Sequence, residues 1–157
     1  MDLQKCFLTK QGFAKVKREY NFLRRLKQSK VTTQAPQVIV SEEINSEYIS
    51  FYQDLSLLEI RLAKLADVIK NAVIIRPPTH EERGIVGVGA TVEVENQGQV
   101  DELKIVGSVE ADPADGRISC TSPVGSALLG HRVGDKIVVQ SPLKTLYKIL
   151  NVKYQMA

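Results

Sequence analysis

Tyr48, Phe51, Leu55, Leu58, Leu62, Leu65 and Ile69 recur at alternating steps of three and four along the chain. A stripe that narrow is the a/d surface of a coiled coil, and it is stable only when another helix covers it. A partner is present in the same chain. Phe13, Val16, Tyr20 and Leu23 also fall on one helical face, with Phe22 and Leu26 at its flank. Thr9, just before this stretch, is the expected N-cap. Two such segments joined by a connection predict an antiparallel helical hairpin over residues 1–76, with its tip at about 41–47. Fully helical, residues 12–40 would reach roughly 40 Å at about 1.5 Å per residue. The β-branched run Val31-Thr32-Thr33 and Pro36 oppose that, so the first helix is expected to bend, break or fray between Ser29 and Pro36. Val31, Val38 or Ile39 would then cover the far end of the seam.

Charge separates the two halves of the 157-residue chain. Residues 1–30 hold nine lysines and arginines against Asp2 and Glu19, whereas residues 77–157 hold eight basic and ten acidic groups. The basic arm suits either an acidic partner such as nucleic acid or a plain solvated face. No apolar run approaches the ~18 residues that span a bilayer, and the N-terminus lacks the pattern of a signal peptide. Cys6 and Cys120 form no C-x-x-C pair, so no zinc site or disulfide framework is indicated. No membrane association and a cytoplasmic location are expected.

After Ile75 the periodicity changes. Residues 77–84, opening on Pro77-Pro78, read as a stiff linker. Short strands follow at Ala90–Glu95, Asp101–Val106, Arg117–Thr121, Lys136–Gln140 and Leu146–Val152, separated by turn signals at Asn96-Gln97-Gly98, Asp112–Gly116 and Val133-Gly134-Asp135. Gly125–Gly130 leaves room for one short helix. Residues 85–157 are thus expected to form an antiparallel sheet with one helix, and the whole chain is α+β.

The stretch from Ile118 to Asp135 closely resembles the C-terminal signature of the bacterial Gre transcript-cleavage factors: Ile118-Ser119, Ser122-Pro123, Ala127-Leu128-Leu129-Gly130 and Gly134-Asp135. Val88-Gly89-Ala90-Thr91-Val92 and Ile105-Val106-Gly107 are similar to the family's first two strands. Leu8-Thr9 with Gly12, and the hairpin after it, look like the family's arm. The resemblance implies an FKBP-like C-terminal domain that docks on RNA polymerase through the region of Ser122 and Pro123. It further implies an arm inserted into the polymerase's secondary channel. Lys15, Lys17, Arg18, Arg24 and Arg25 would then form a basic face near the nascent RNA 3′ end.

In the family, two carboxylates at the arm's tip help hold a second Mg²⁺ in the polymerase's own active site, and the polymerase hydrolyses backtracked RNA. The resemblance therefore implies no catalytic residue, metal or cofactor in the isolated protein, only an Mg²⁺ shared with its partner. With Asn45-Ser46-Glu47-Tyr48 as anchor, the two carboxylate positions fall on Ser41 and Ile44. Glu42 and Glu43 lie one residue away, and either assist the metal or cap the second helix, where negative charge is favoured. Asn45, Glu47 and Tyr48 would support the tip. Two readings stay open: a factor that stimulates cleavage, and a homologue that occupies the channel without stimulating it. Prolyl isomerase activity is disfavoured, because Tyr147 and Tyr154 are the only large aromatics in a domain without tryptophan.

Overall fold

Two long helices, α1 (Lys10–Thr33) and α2 (Ser46–Lys70), carry the arm. The computed structural model describes residues 5–36, 46–140 and 142–155. On α2 the seam is turned inward: Leu65 is buried, and Phe51, Leu55, Leu58, Leu62 and Ile69 are partly so. Tyr48 alone of the seven stays 40% exposed. On α1, Val16 is buried and Phe13, Tyr20 and Leu23 are partly buried, while Phe22 and Leu26 lie open at the flank.

Ion pairs fix the direction of the two helices. Glu19 meets Arg61 at 2.6 Å, Lys27 meets Glu59 at 2.8 Å and Lys30 meets Asp54 at 3.2 Å. As the α1 number climbs, its partner's number falls, which is an antiparallel register. These exposed pairs each contribute at most about 1 kcal/mol, so the seam supplies most of the cohesion.

The β-branched run does not kink α1. Thr32 Oγ1 donates to the carbonyls of Gln28 and Ser29, and Thr33 Oγ1 donates to that of Ser29 at 2.6 Å. These back-bonds satisfy the hydroxyls inside the last turn, and the helix stops at Thr33, before Pro36. The termination falls in the expected window, by a clean end instead of a bend. Val31 is 46% exposed and does not cover the seam.

The sheet unit holds β3 (Ala90–Asn96), β4 (Gln99–Val106), β5 (Arg117–Ser119), β6 (Lys136–Gln140) and β7 (Lys144–Tyr154) in the order β5-β4-β3-β7-β6. All five were legible as strands. The expected uniformly antiparallel sheet needs one correction: β4 and β5 pair in parallel. Residues 107–116 carry the chain back until Arg117 is level with Lys104 near the end of β4, through a 3-10 turn at Pro113–Asp115 and Gly116 at φ 69°. The β3–β4 hairpin turns on Gln97 and Gly98, both at positive φ (50° and 82°). That is the geometry a two-residue turn needs to match strand twist. Val86, Ala90, Val92, Val94, Ile105, Cys120, Leu128, Ile137, Val139 and Ile149 form the core, closed on one side by α3 (Pro123–Leu128).

A further pair of strands had no sequence signal. β1 (Cys6–Leu8) and β2 (Ala72–Ile74) pair in parallel, and the amide of Ile75 donates to Leu8 O at 2.9 Å. Both belong with the sheet: the chain divides into Met1–Gly12 with Ala72–Ala157, and Phe13–Asn71. The span 1–76 therefore gives up its two ends to the other unit. Leu8 is wholly buried there, and a Cβ on Gly107 would lie 1.6 Å from the Phe7 carbonyl oxygen. Only glycine lets the N-terminal strand pass so close.

Candidate functional site

The signature Ile118–Asp135 folds into a strand, a sharp turn, one short helix and a second turn. Ser122 is the N-cap of α3: its Oγ accepts from the Gly125 amide at 3.0 Å and donates to the Ser119 carbonyl at 2.7 Å. Pro123 takes the first helical position, where its missing N–H costs nothing. Gly125 is buried under the same turn, and a Cβ there would meet the Ser119 carbonyl oxygen at 2.0 Å. Leu128 is wholly buried. Gly130, at φ 82°, lets the chain turn so that its amide reaches Val86 O at 2.8 Å.

Asp135 closes the second turn. Its Oδ2 accepts from the Arg132 amide at 2.8 Å and lies 3.3 Å from His131 Nδ1. The amide hydrogen bond first, and His131 second, hold its carboxyl below the usual aspartate range. The Cys120 thiol is pushed the other way by burial, which makes it a core residue and not a nucleophile. Of the two residues expected to dock, then, Ser122 is already engaged in the turn, whereas Pro123 is exposed. Beside them Ser108, Ser119 and Thr121 bring three hydroxyls within 3.2 Å of one another at the surface.

The arm sorts its cations into two groups. Lys27 and Lys30 bridge to α2, but Lys15, Lys17, Arg18, Arg24 and Arg25 are all exposed, and none of these five makes an ion pair among the described residues. Arg18 Nε reaches only the Ala14 carbonyl, at 3.4 Å, and Lys17 Nζ sits 5.5 Å from the centre of the Phe13 ring. At the start of α2, Glu47 lies in the first turn, where a carboxylate favours the helix dipole. Tyr48 stacks at a tilt on Tyr52, with ring centres 4.5 Å apart, and hydrogen bonding with the Tyr52 hydroxyl raises its phenol above the usual value. Glu42, Glu43 and Asn45, with Ser41 and Ile44, lie outside the described residues. No group of three or more His, Cys, Asp or Glu stands ready to hold a metal among the described residues.

Residues 80–154 match the family model described as the C-terminal domain of transcription elongation factor GreA/GreB. The chain is 33% identical to transcription elongation factor GreA of Thermomicrobium roseum, over 88% of this chain and 90% of that one. It is 36% identical to GreA of Clostridium acetobutylicum, over 96% and 98%. The chain belongs to the GreA/GreB family. Among solved structures, GreA factor homolog 1 of Thermus thermophilus is 26% identical over 95% of this chain and 99% of that one, at a TM-score of 0.43.

One residue holds a position in this family member that no local pattern announces. Glu110, in the loop after β4, clamps the start of the arm. Its carboxylate accepts from the Thr9 amide at 2.8 Å and from Thr9 Oγ1 at 2.7 Å. Thr9 Oγ1 in turn accepts from the Gly12 amide at 2.9 Å, which makes Thr9 the N-cap its position predicted. A glutamate 101 residues away leaves no local signal, although the tight Leu8-Thr9 and Gly12 spacing marks where it is needed. Within the linker, Glu82 accepts from the Thr79 amide at 2.9 Å, which lowers its carboxyl pKa, and Glu82–Gly84 form a 3-10 turn. Among the described residues no helix is long and apolar enough to cross a membrane.

Proposed function

We propose that this chain enters the secondary channel of RNA polymerase with its helical arm and promotes cleavage of backtracked RNA by the polymerase's own active site. The observation that carries the reading is the separation of cations on α1. Lys27 and Lys30 are spent on α2, while Lys15, Lys17, Arg18, Arg24 and Arg25 remain open to an external anion. Phosphates of an extruded RNA 3′ end are such an anion, and their attraction is long-ranged and salt-dependent. Glu42 and Glu43 would bring two carboxylates to an Mg²⁺ that the polymerase itself holds, since hard Mg²⁺ takes oxygen ligands. The chain itself is then a stimulating factor, not an enzyme. Pro123, exposed at the head of α3, would touch the polymerase at the channel entrance.

A second reading is favoured by one sequence observation. Ser41 and Ile44 occupy the two positions where the family carries its metal-assisting acids. On that reading the arm fills the channel and blocks, without stimulating cleavage. One experiment separates the two. Stalled, backtracked complexes are mixed with wild type and with Glu42→Ala and Glu43→Ala. RNA shortened from its 3′ end by wild type, and spared by the variants, supports stimulation. Cleavage no faster than the polymerase alone, together with competition against an active Gre factor, supports the blocking reading.

A further inference from the structure

The outer face of the β6–β7 hairpin carries exposed aliphatic residues among lysines. Ile137, Val139 and Ile149 point into the core, so alternation sends Lys136, Val138 and Gln140 outward on β6 and Lys144, Leu146 and Lys148 outward on β7. Val138 and Leu146 face each other across the ladder at 46% and 52% exposure, and Leu143 beside them is 77% exposed. Lys136 stands directly opposite Lys148, which has Glu95 opposite it on its other side. Like charges in that position destabilise a hairpin, and neither lysine, nor Lys144, makes an ion pair among the described residues. β6 is also the last strand of the sheet, paired on one side by β7.

We infer that the β6 edge is a docking site for an extended, acidic-aliphatic segment of a protein partner, which adds a strand to the sheet. Main-chain hydrogen bonds to the free side of β6 would supply affinity and alternate side chains would supply selectivity. An aliphatic residue of the incoming strand extends the Val138–Leu146 row. An acid two residues away lies on the same face, beside Lys136, and offsets the Lys136–Lys148 opposition. Charge selects the occupant: an unpaired lysine triad around exposed aliphatics fits carboxylates on an apolar strand. A bare nucleic-acid backbone would leave Val138, Leu143 and Leu146 unused. The surface lies in the sheet unit, and the inference does not depend on whether the arm stimulates cleavage.

The test uses the full chain, isotope-labelled, and a short soluble peptide of repeat Glu-Thr-Val-Thr, which places Glu and Val on one face of a strand. Amide shifts on titration are expected to concentrate at residues 136–148. Lys136→Glu combined with Lys148→Glu should weaken binding about tenfold or more, as should Val138→Glu alone. Because all three side chains are exposed, the variants should keep their circular dichroism and their binding to RNA polymerase through the arm. The same peptide with Lys in place of each Glu should not bind. Three results overturn the inference: no binding of the acidic peptide, shifts centred elsewhere, or equal binding by a short RNA oligonucleotide. Aggregation of the lysine variants without peptide binding would instead assign these lysines to protection of a bare edge.

Discussion

The contact between Glu110 and the first turn of α1 makes a prediction whose sign can be worked out. Two hydrogen bonds run from Thr9 to one carboxylate, at 2.8 and 2.7 Å, and the Thr9 hydroxyl then caps the Gly12 amide. Bonds to a charged group contribute about 1.5–3 kcal/mol each when shielded. Glu110 is only partly buried, so the low end applies. Glu110→Ala should cost about 2–3 kcal/mol, and Thr9→Ala, which loses one of these bonds and the cap, also about 2–3 kcal/mol. Because both remove one network, the double variant should cost about 1–2 kcal/mol less than the two single costs added together. Gly12 sharpens the test. On helix propensity alone Gly12→Ala should gain about 1 kcal/mol. In this chain the new Cβ would lie 2.3 Å from Glu110 Oε1, and the glutamate must swing away and release Thr9. Gly12→Ala should therefore be neutral or destabilising in the wild type, and stabilising once Glu110 is alanine. Urea unfolding followed by far-ultraviolet circular dichroism reads both. If Gly12→Ala stabilises the wild type by the full propensity value, or the Thr9 and Glu110 effects simply add, the clamp is not as described.

Other consequences are reached with simpler measurements. Gly125→Ala should destabilise the sheet unit by about 2 kcal/mol or more, since the carbonyl it meets at 2.0 Å is backbone that cannot step aside; an unchanged urea midpoint would refute that. Asp135 has a lowered folded-state pKa, so its contribution is present above the unfolded value of about 3.8 and is lost as pH falls through the folded one. Asp135→Asn should accordingly flatten the acid limb of a profile of stability against pH, and an acid limb identical to wild type would sink that assignment. Replacing Arg18 and Arg25 by glutamine should weaken binding to a backtracked complex and lower the salt dependence by about 0.7 per lost phosphate contact; an unchanged slope would place those cations away from RNA.

What was legible in the sequence follows from the range of the forces involved. The α2 seam, the five strands and the Gln97-Gly98 turn are each written in residues that are neighbours along the chain, through period, branching or positive φ. The parallel β4–β5 pairing was not legible, because residues 107–116 could reverse the chain or carry it across, and only packing decides. The β1–β2 pair escaped for the same reason. Three residues at each end of a hairpin give no periodicity; their pairing and the burial of Leu8 hold them, and Gly107 leaves them room.

The signature Ile118–Asp135 shows how a recognisable motif divides between architecture and function. Ser122, Gly125, Leu128, Gly130 and Asp135 each serve the fold, as a cap, a bare backbone contact, a core contact, a turn and the brace of a second turn. Pro123, exposed at the helix head, is the member of the motif whose ring is left to meet something else. Substitution there should therefore separate the two roles. Pro123→Ala keeps the Ser122 cap and costs little stability, since position N1 needs no amide. If the motif serves docking, this variant should lose affinity for RNA polymerase while its urea midpoint stays within about 0.5 kcal/mol of wild type. Equal loss of both would return the whole signature to architecture and leave the arm as the chain's only contact of consequence.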